Sequence, residues 1–394
     1  MGASEGPLAG VKVLDLSRIL AGPTCTQLLG DLGASVLKVE NPRGGGDDTR
    51  QWGPPYVKDG EEDTDLSAYF LSANRNKRSV AVDIASEEGR ATVRRLAGLA
   101  DVLVENFKPG GLDKRGLGWD AMHRLNPRLV YCSISGYGQT GPNRDRPGYD
   151  LVAQAFGGIM SLTGPAEGPP MKVGTGIADV MCGMYATVGI LAALRHAEAT
   201  GEGQRIDLAL VDSQIAWTIN EGVATRLTGR TPARRGNEHP SIVPYALYPT
   251  ADGHVVVAVG NDAQFRRFCG AIGLEGAPDD PRFASNPARL ANRAALTPLV
   301  EAAMRRLTTA AAMAAIDGAG VTVGPVQTLP EVFASDQVAA RGMAVDMAGP
   351  GGAMLPLIGN PLKLSATPVT YRRPPPRCGA DDAALGREDP FAED

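Results

Sequence analysis

The sequence predicts an α/β protein, a large parallel sheet covered by helices, followed by a smaller α+β domain. From residue 11 to residue 150, short β-branched runs alternate with helical segments, which lines up parallel strands with helices on their faces. Past residue 240 the pattern changes to a hairpin followed by helices. A length of 394 residues also suits two domains better than one.

Residues 11–16 read as the first strand. Gly22-Pro23 then opens a helix to Leu32, with proline in the first turn where its missing N–H costs nothing. Residues 36–40, 79–84, 102–105 and 129–133 continue the sheet, with an amphipathic helix over residues 87–99. Residues 150–200 are mostly helical; 205–210 form another strand and 212–227 a helix. The polar, basic stretch 228–239 is a linker, and Asp252-Gly253 turns a hairpin between 243–248 and 255–259. Residues 262–318 are helical, and the Gly- and Pro-rich C-terminal stretch reads as extended chain. The domains are expected at 1–228 and 229–330, with 331–394 lying over the first.

The composition, 43% hydrophobic and 21% charged, is that of a soluble globular protein. A net charge of −5 without a basic block argues against nucleic acid, though local cations can still hold an anionic ligand. Residues 180–194 are apolar but too short to span a membrane, and the N-terminus lacks the pattern of a secretory signal. Gly2 invites myristoylation, but position 6 is Gly rather than Ser or Thr. Cys25, Cys132, Cys182, Cys269 and Cys378 are scattered, which implies reduced thiols in a cytoplasmic compartment and no zinc. The four histidines show no metal-ligand spacing, so no metal is expected.

The β1–α1 turn, Ser17 to Pro23, lacks GxGxxG, so a nicotinamide dehydrogenase is disfavoured even though Glu40 ends the second strand where a ribose could sit. The loop 44–55, with Arg50 and Trp52, is a plain surface loop or a pocket wall. Arg75, Lys77 and Arg78 form either a solvated charge run or a clamp for phosphates or a carboxylate. Asn106, Phe107 and Lys108 follow a strand end, with Lys114 nearby, and together could hold an adenine and its phosphates. Asp179 opens a nearly uncharged helix behind a small-residue loop. It is either an N-cap or a nucleophile able to attack a thioester.

Taken together, residues 31–40, Asn76-Lys-Arg-Ser79, Val104-Glu-Asn-Phe107, Gly148-Tyr-Asp150 and the stretch around Asp179 resemble the family III CoA-transferases. The runs 46–55, 131–142 and 241–245 are similar to the dicarboxylate-using branch, that of the succinate–hydroxymethylglutarate CoA-transferases. The resemblance implies a Rossmann-like large domain, a small domain, and a homodimer of interlocked rings. It implies Asp179 as nucleophile, and CoA contacts at Ile19, Leu20, Ala21, Val82, Asp83, Asn106, Phe107, Lys108, Lys114 and Tyr149. Trp52 matches a tryptophan flanking the site. Leu20 replaces the family's active-site glutamine, and a glycine run over the site shrinks to Gly260-Asn261-Asp262. Racemase relatives carry a histidine where Tyr149 stands, so a racemase is the alternative reading, beside a non-catalytic acyl-CoA-binding protein.

The implied reaction moves CoA from an acyl-CoA, succinyl-CoA by resemblance, to a carboxylic acid through an aspartyl anhydride. No tightly bound cofactor is needed. A helix N-terminus is expected to keep Asp179 ionised. A dicarboxylate acceptor calls for a second cation, for which Arg50, Arg75 and Arg234 are candidates.

Overall fold

The computed structural model describes residues 6–349 and 352–392. Most of the N-terminal segment and the centre of the Gly349–Gly352 run, on which two of the readings above fall, lie outside the described residues.

In chain order the first elements are β1 (Lys12–Asp15), α1 (Ala21–Asp31), β2 (Ser35–Glu40), β3 (Tyr56–Asp59), β4 (Glu62–Ser67), α2 (Ala68–Leu71) and β5 (Lys77–Ala81). Then follow α3 (Glu87–Leu99), β6 (Val102–Glu105), α4 (Trp119–Leu125), β7 (Val130–Ser135), α5 (Asp150–Phe156), α6 (Ile159–Leu162), α7 (Ile177–Thr200), β8 (Arg205–Ala209), α8 (Leu210–Ala216) and α9 (Ile219–Thr228). The first compact unit comprises Met1–Met160, Lys172–Arg230 and Asp336–Asp394.

Its sheet runs β5-β2-β1-β6-β7-β8, all parallel. Both faces are covered, which is why the strands are nearly continuous apolar runs rather than alternating ones. One face buries Val13, Val36, Val104 and Val130 against Leu29 of α1 and Cys182, Ala186 and Ile190 of α7. The other buries Leu14, Leu37, Val80 and Leu103 against Val93 and Leu96 of α3. α1 and α7 touch closely because Gly183 has no side chain: a Cβ there would stand 2.6 Å from the Ala21 carbonyl oxygen.

α7 is longer than the apolar run predicts. At 24 residues it is long and apolar enough to cross a membrane by length and composition, but half of its most apolar window is buried in the protein. The helix expected over 212–227 is broken at Trp217–Thr218, where Ile219 takes a φ of 38°. The hairpin β3–β4 has no strong sequence signal, being mostly polar. A second hairpin, β12 (Ala344–Ala348) with β13 (Met354–Ile358), replaces part of the extended chain expected near the C-terminus.

The C-terminal stretch bonds to the end of α1, to the loop after it and to β5. Asn360 donates to Asp31 at 2.9 Å, Arg372 to the carbonyls of Gly30 and Ala34, and the Ser79 amide to Asp381.

The second unit comprises Ser161–Met171 and Thr231–Ser335, so it gains a segment upstream of the 229–330 boundary read from sequence. Its antiparallel sheet of β9 (Tyr245–Pro249), β10 (His254–Ala258) and β11 (Thr322–Pro325) packs on helices around Phe265, Phe268, Phe283 and Val300. Arg289, fully buried, donates to the carbonyls of Val243 and Phe283 and to Asp262.

Candidate active site

Asp179 stands in the first turn of α7, but it is not the cap. Asp150, at the start of α5, accepts the Ala178 amide at 2.7 Å and so satisfies one free N–H of that turn. Gln154, one turn further along α5 and fully buried, donates to the other Asp150 oxygen at 2.7 Å and accepts the Val173 amide. Two side chains of one helix thus fix the start of another, which leaves the Asp179 carboxylate free for chemistry.

Burial, with the Asp150 charge adding to it, pushes the Asp179 carboxyl up to about 7. The helix N-terminus does not hold it in the ordinary carboxylate range, contrary to the expectation from sequence.

The carboxylate lines a cavity of about 230 Å³ at the carboxyl ends of the strands. Arg18, Ile19, Leu20 and Ala21 from the β1–α1 turn form one wall; Asn106, Phe107 and Lys108, past β6, form another. Tyr149, 61% exposed, closes a third side with Arg146. Gly136 and Gly148 cross here so tightly that a Cβ on either would collide with the other's backbone. An adjoining cavity of about 200 Å³ is lined by Val82, Asp83, Phe107, Arg18 and Arg115. Phe107 faces both cavities, and Arg18 lies 5.9 Å from its ring centroid.

Asn106 spends both ends of its amide on the backbone of Arg18, accepting its N–H at 2.9 Å and donating to its carbonyl at 2.7 Å. Lys114 is exposed in the turn Asp113–Arg115, and its neighbour Arg115 lines the second cavity instead. Trp52 is 44% exposed and packs edge-on to Tyr69 at 5.1 Å. Burial first, then the charges of Asp179, Asp150 and Asp47, hold the Tyr69 phenol above its usual range. Asp150 and Arg146 are the residues that sequence reasoning missed as site components. Only Asp150 and Gln154, spaced one helical turn apart, carried a local signal.

Two acceptor candidates are corrected. Arg50 is 1% exposed, bonded to Glu40 at 2.8 and 2.6 Å and to Asp65 at 2.8 Å, and stacked 3.7 Å over the centre of the Phe70 ring. Arg75 is buried on Asp31 at 2.9 and 2.6 Å. Both are spent inside the unit, as is Glu40, which meets arginine rather than ribose. Lys77 likewise binds Asp15 and Asn74, so the 75–78 cations are not a phosphate clamp. In the second unit, Arg234 donates to the carbonyls of Gly168 and Pro165. The Gly260 amide is held by Gln264, and Asn261 caps the helix Asp262–Ala271.

The family model described as CoA-transferase family III matches residues 8–382. A succinate–glutarate CoA-transferase of Agrobacterium fabrum is 45% identical over 96% of this chain and 94% of its own. A human succinyl-CoA:glutarate CoA-transferase is 42% identical over 97% of this chain and 86% of its own. A solved CAIB/BAIF family protein from Brucella suis is 43% identical, covering 97% of this chain and 98% of its own with a TM-score of 0.88. A parallel sheet, a carboxylate at a helix start beside a two-chambered cleft, and matches of this extent establish that the chain belongs to the family III CoA-transferases.

Proposed function

We propose that this enzyme moves CoA from succinyl-CoA to a dicarboxylic acid through a covalent intermediate on Asp179. The reading of donor and acceptor is supported by the A. fabrum and human relatives, a succinate–glutarate and a succinyl-CoA:glutarate CoA-transferase. The reading of mechanism is supported by one observation above all: Asp179 lines the cleft with its carboxylate free, its helix being capped by Asp150.

An Asp179 oxygen attacks the thioester carbonyl and the C–S bond breaks, giving an aspartyl–acyl anhydride and CoA thiolate. The acceptor carboxylate attacks the aspartyl carbonyl and releases the donor acid, which leaves with the bridging oxygen. The thiolate then attacks the acceptor carbonyl of the new anhydride, forming the product thioester and restoring the carboxylate. One thioester and one acid enter and one of each leaves, so no energy source is required.

Lys108 and Arg115 suit the phosphates of CoA, and Phe107, shared by both chambers, suits its adenine. Arg146 lines the Asp179 cavity, has no acidic partner among the described residues and donates to the Asn143 amide oxygen at 3.4 Å, and it is our candidate for the acceptor's far carboxylate. Tyr149 in place of a basic histidine argues against α-proton exchange, the racemase alternative. Val188 of α7 and Ile219, Val223 and Leu227 of α9 are each at least 60% exposed, and such exposed apolar side chains suit the expected homodimer. The free thiols suit a reducing, cytoplasmic setting.

The test is a panel of mono- and dicarboxylic acids incubated with succinyl-CoA and read by mass for new thioesters. Dicarboxylates of four to six carbons should be converted, and Arg146→Ala should raise their KM about tenfold or more while leaving monocarboxylates unchanged. Equal conversion of monocarboxylates by the wild type contradicts the acceptor assignment.

A further inference from the structure

The turn that joins β1 to α1 forms a wall of the Asp179 cavity, and its backbone is held almost entirely by side chains from elsewhere. Ile19 adopts a φ of 72°, a left-handed conformation costly for a β-branched residue and normally left to glycine. Something must hold it there.

Three side chains do. Lys38 of β2 donates to the Ser17 carbonyl at 2.8 Å. Asn106 grips both polar groups of Arg18. Asp47, from the glycine-rich loop, accepts the Ile19 amide on both oxygens, at 3.2 and 3.3 Å. Lys38 and Asp47 are themselves paired at 2.8 Å with both side chains fully buried. The next residue, Leu20, packs against Gly176, the residue that precedes α7, where a Cβ would lie 3.0 Å from the Leu20 side chain.

We propose that Lys38 and Asp47 are positioning residues for acyl transfer. As one buried pair they lock the left-handed turn at Ile19, and through Leu20 they fix where the thioester meets Asp179. Neither touches the reacting atoms. A pair kept only for stability would be an odd choice, because apolar residues of similar volume often replace a buried ion pair at no cost, whereas removing one partner alone is expensive. The placement of both charges on one turn of backbone points to geometry instead. This inference rests on Asp179 being the acylated residue.

The experiment measures the rate at which donor plus hydroxylamine converts Asp179 to its hydroxamate at saturating succinyl-CoA. The double variant Lys38→Met/Asp47→Leu removes both charges together and should melt near the wild type. Its modification rate should fall at least tenfold. Asp47→Asn leaves Lys38 unpaired and offers the Ile19 amide one oxygen in place of two, so its modification rate should fall as well. A folded double variant that reacts at the wild-type rate overturns the proposal. Should the double variant not fold, Asp47→Asn decides alone: a fall of threefold or more supports the proposal and a smaller one overturns it. A wild-type enzyme left unmodified at position 179 overturns the nucleophile assignment, and this inference with it.

Discussion

Asp179 combines two demands that pull in opposite directions. It must be ionised to attack, yet its partly buried site beside Asp150 raises its carboxyl to about 7. The free-enzyme rate, kcat/KM, should therefore climb with pH and level off above about 7. Asp150→Asn keeps an oxygen for the Ala178 amide and removes the like charge, so the rising limb should move to lower pH; an unmoved limb would show that Asp150 exerts no field on Asp179. The same shift has a thermodynamic sign. Because the folded carboxyl holds its proton more tightly than the unfolded one, the native state loses stability as pH rises from about 4 towards about 7. Asp179→Asn should abolish turnover, melt higher than wild type at pH 8, and melt nearly with it at pH 4. The identity of this residue was legible from sequence, its uncapped state was not: the capping carboxylate lies 29 positions away, and only the fold brings Asp150 to Ala178.

Among the elements, the strands of the large sheet were the most legible because short β-branched runs such as those of β2 and β6 recur between helical segments. The cations at and just before the start of β5 were the least legible. Their sequence looks like a solvated charge run, yet Arg75 is gripped by Asp31, which also accepts from Asn76 and Asn360. This knot joins α1, β5 and the C-terminal stretch. Arg75→Ala should therefore cost roughly 3–5 kcal/mol in urea unfolding, because it strands a buried carboxylate. A substitution that instead left stability alone and raised the acceptor KM would return Arg75 to the substrate. Arg50 misled for the same reason: a one-dimensional pattern does not distinguish a charge aimed at a ligand from one consumed by Glu40 and Asp65.

At the scale of the whole molecule, α7 and α9 each leave large apolar side chains exposed, which a monomer in water rarely tolerates if they are contiguous. Sedimentation should report a dimer that persists on dilution; a stable monomer would refute the dimer proposal. The two-unit organisation was legible from the change in element pattern near residue 230, but the contribution of Ser161–Met171 to the second unit was not, because those residues carry no regular signal.

The central claim is that Asp179 itself becomes one half of an anhydride, and the oxygen balance tests it most directly. An acceptor acid labelled with heavy oxygen on its carboxylate should leave one labelled oxygen on the enzyme in the first turnover, located by peptide mass spectrometry at position 179. An unlabelled Asp179 after turnover, or label at another residue, would contradict the account.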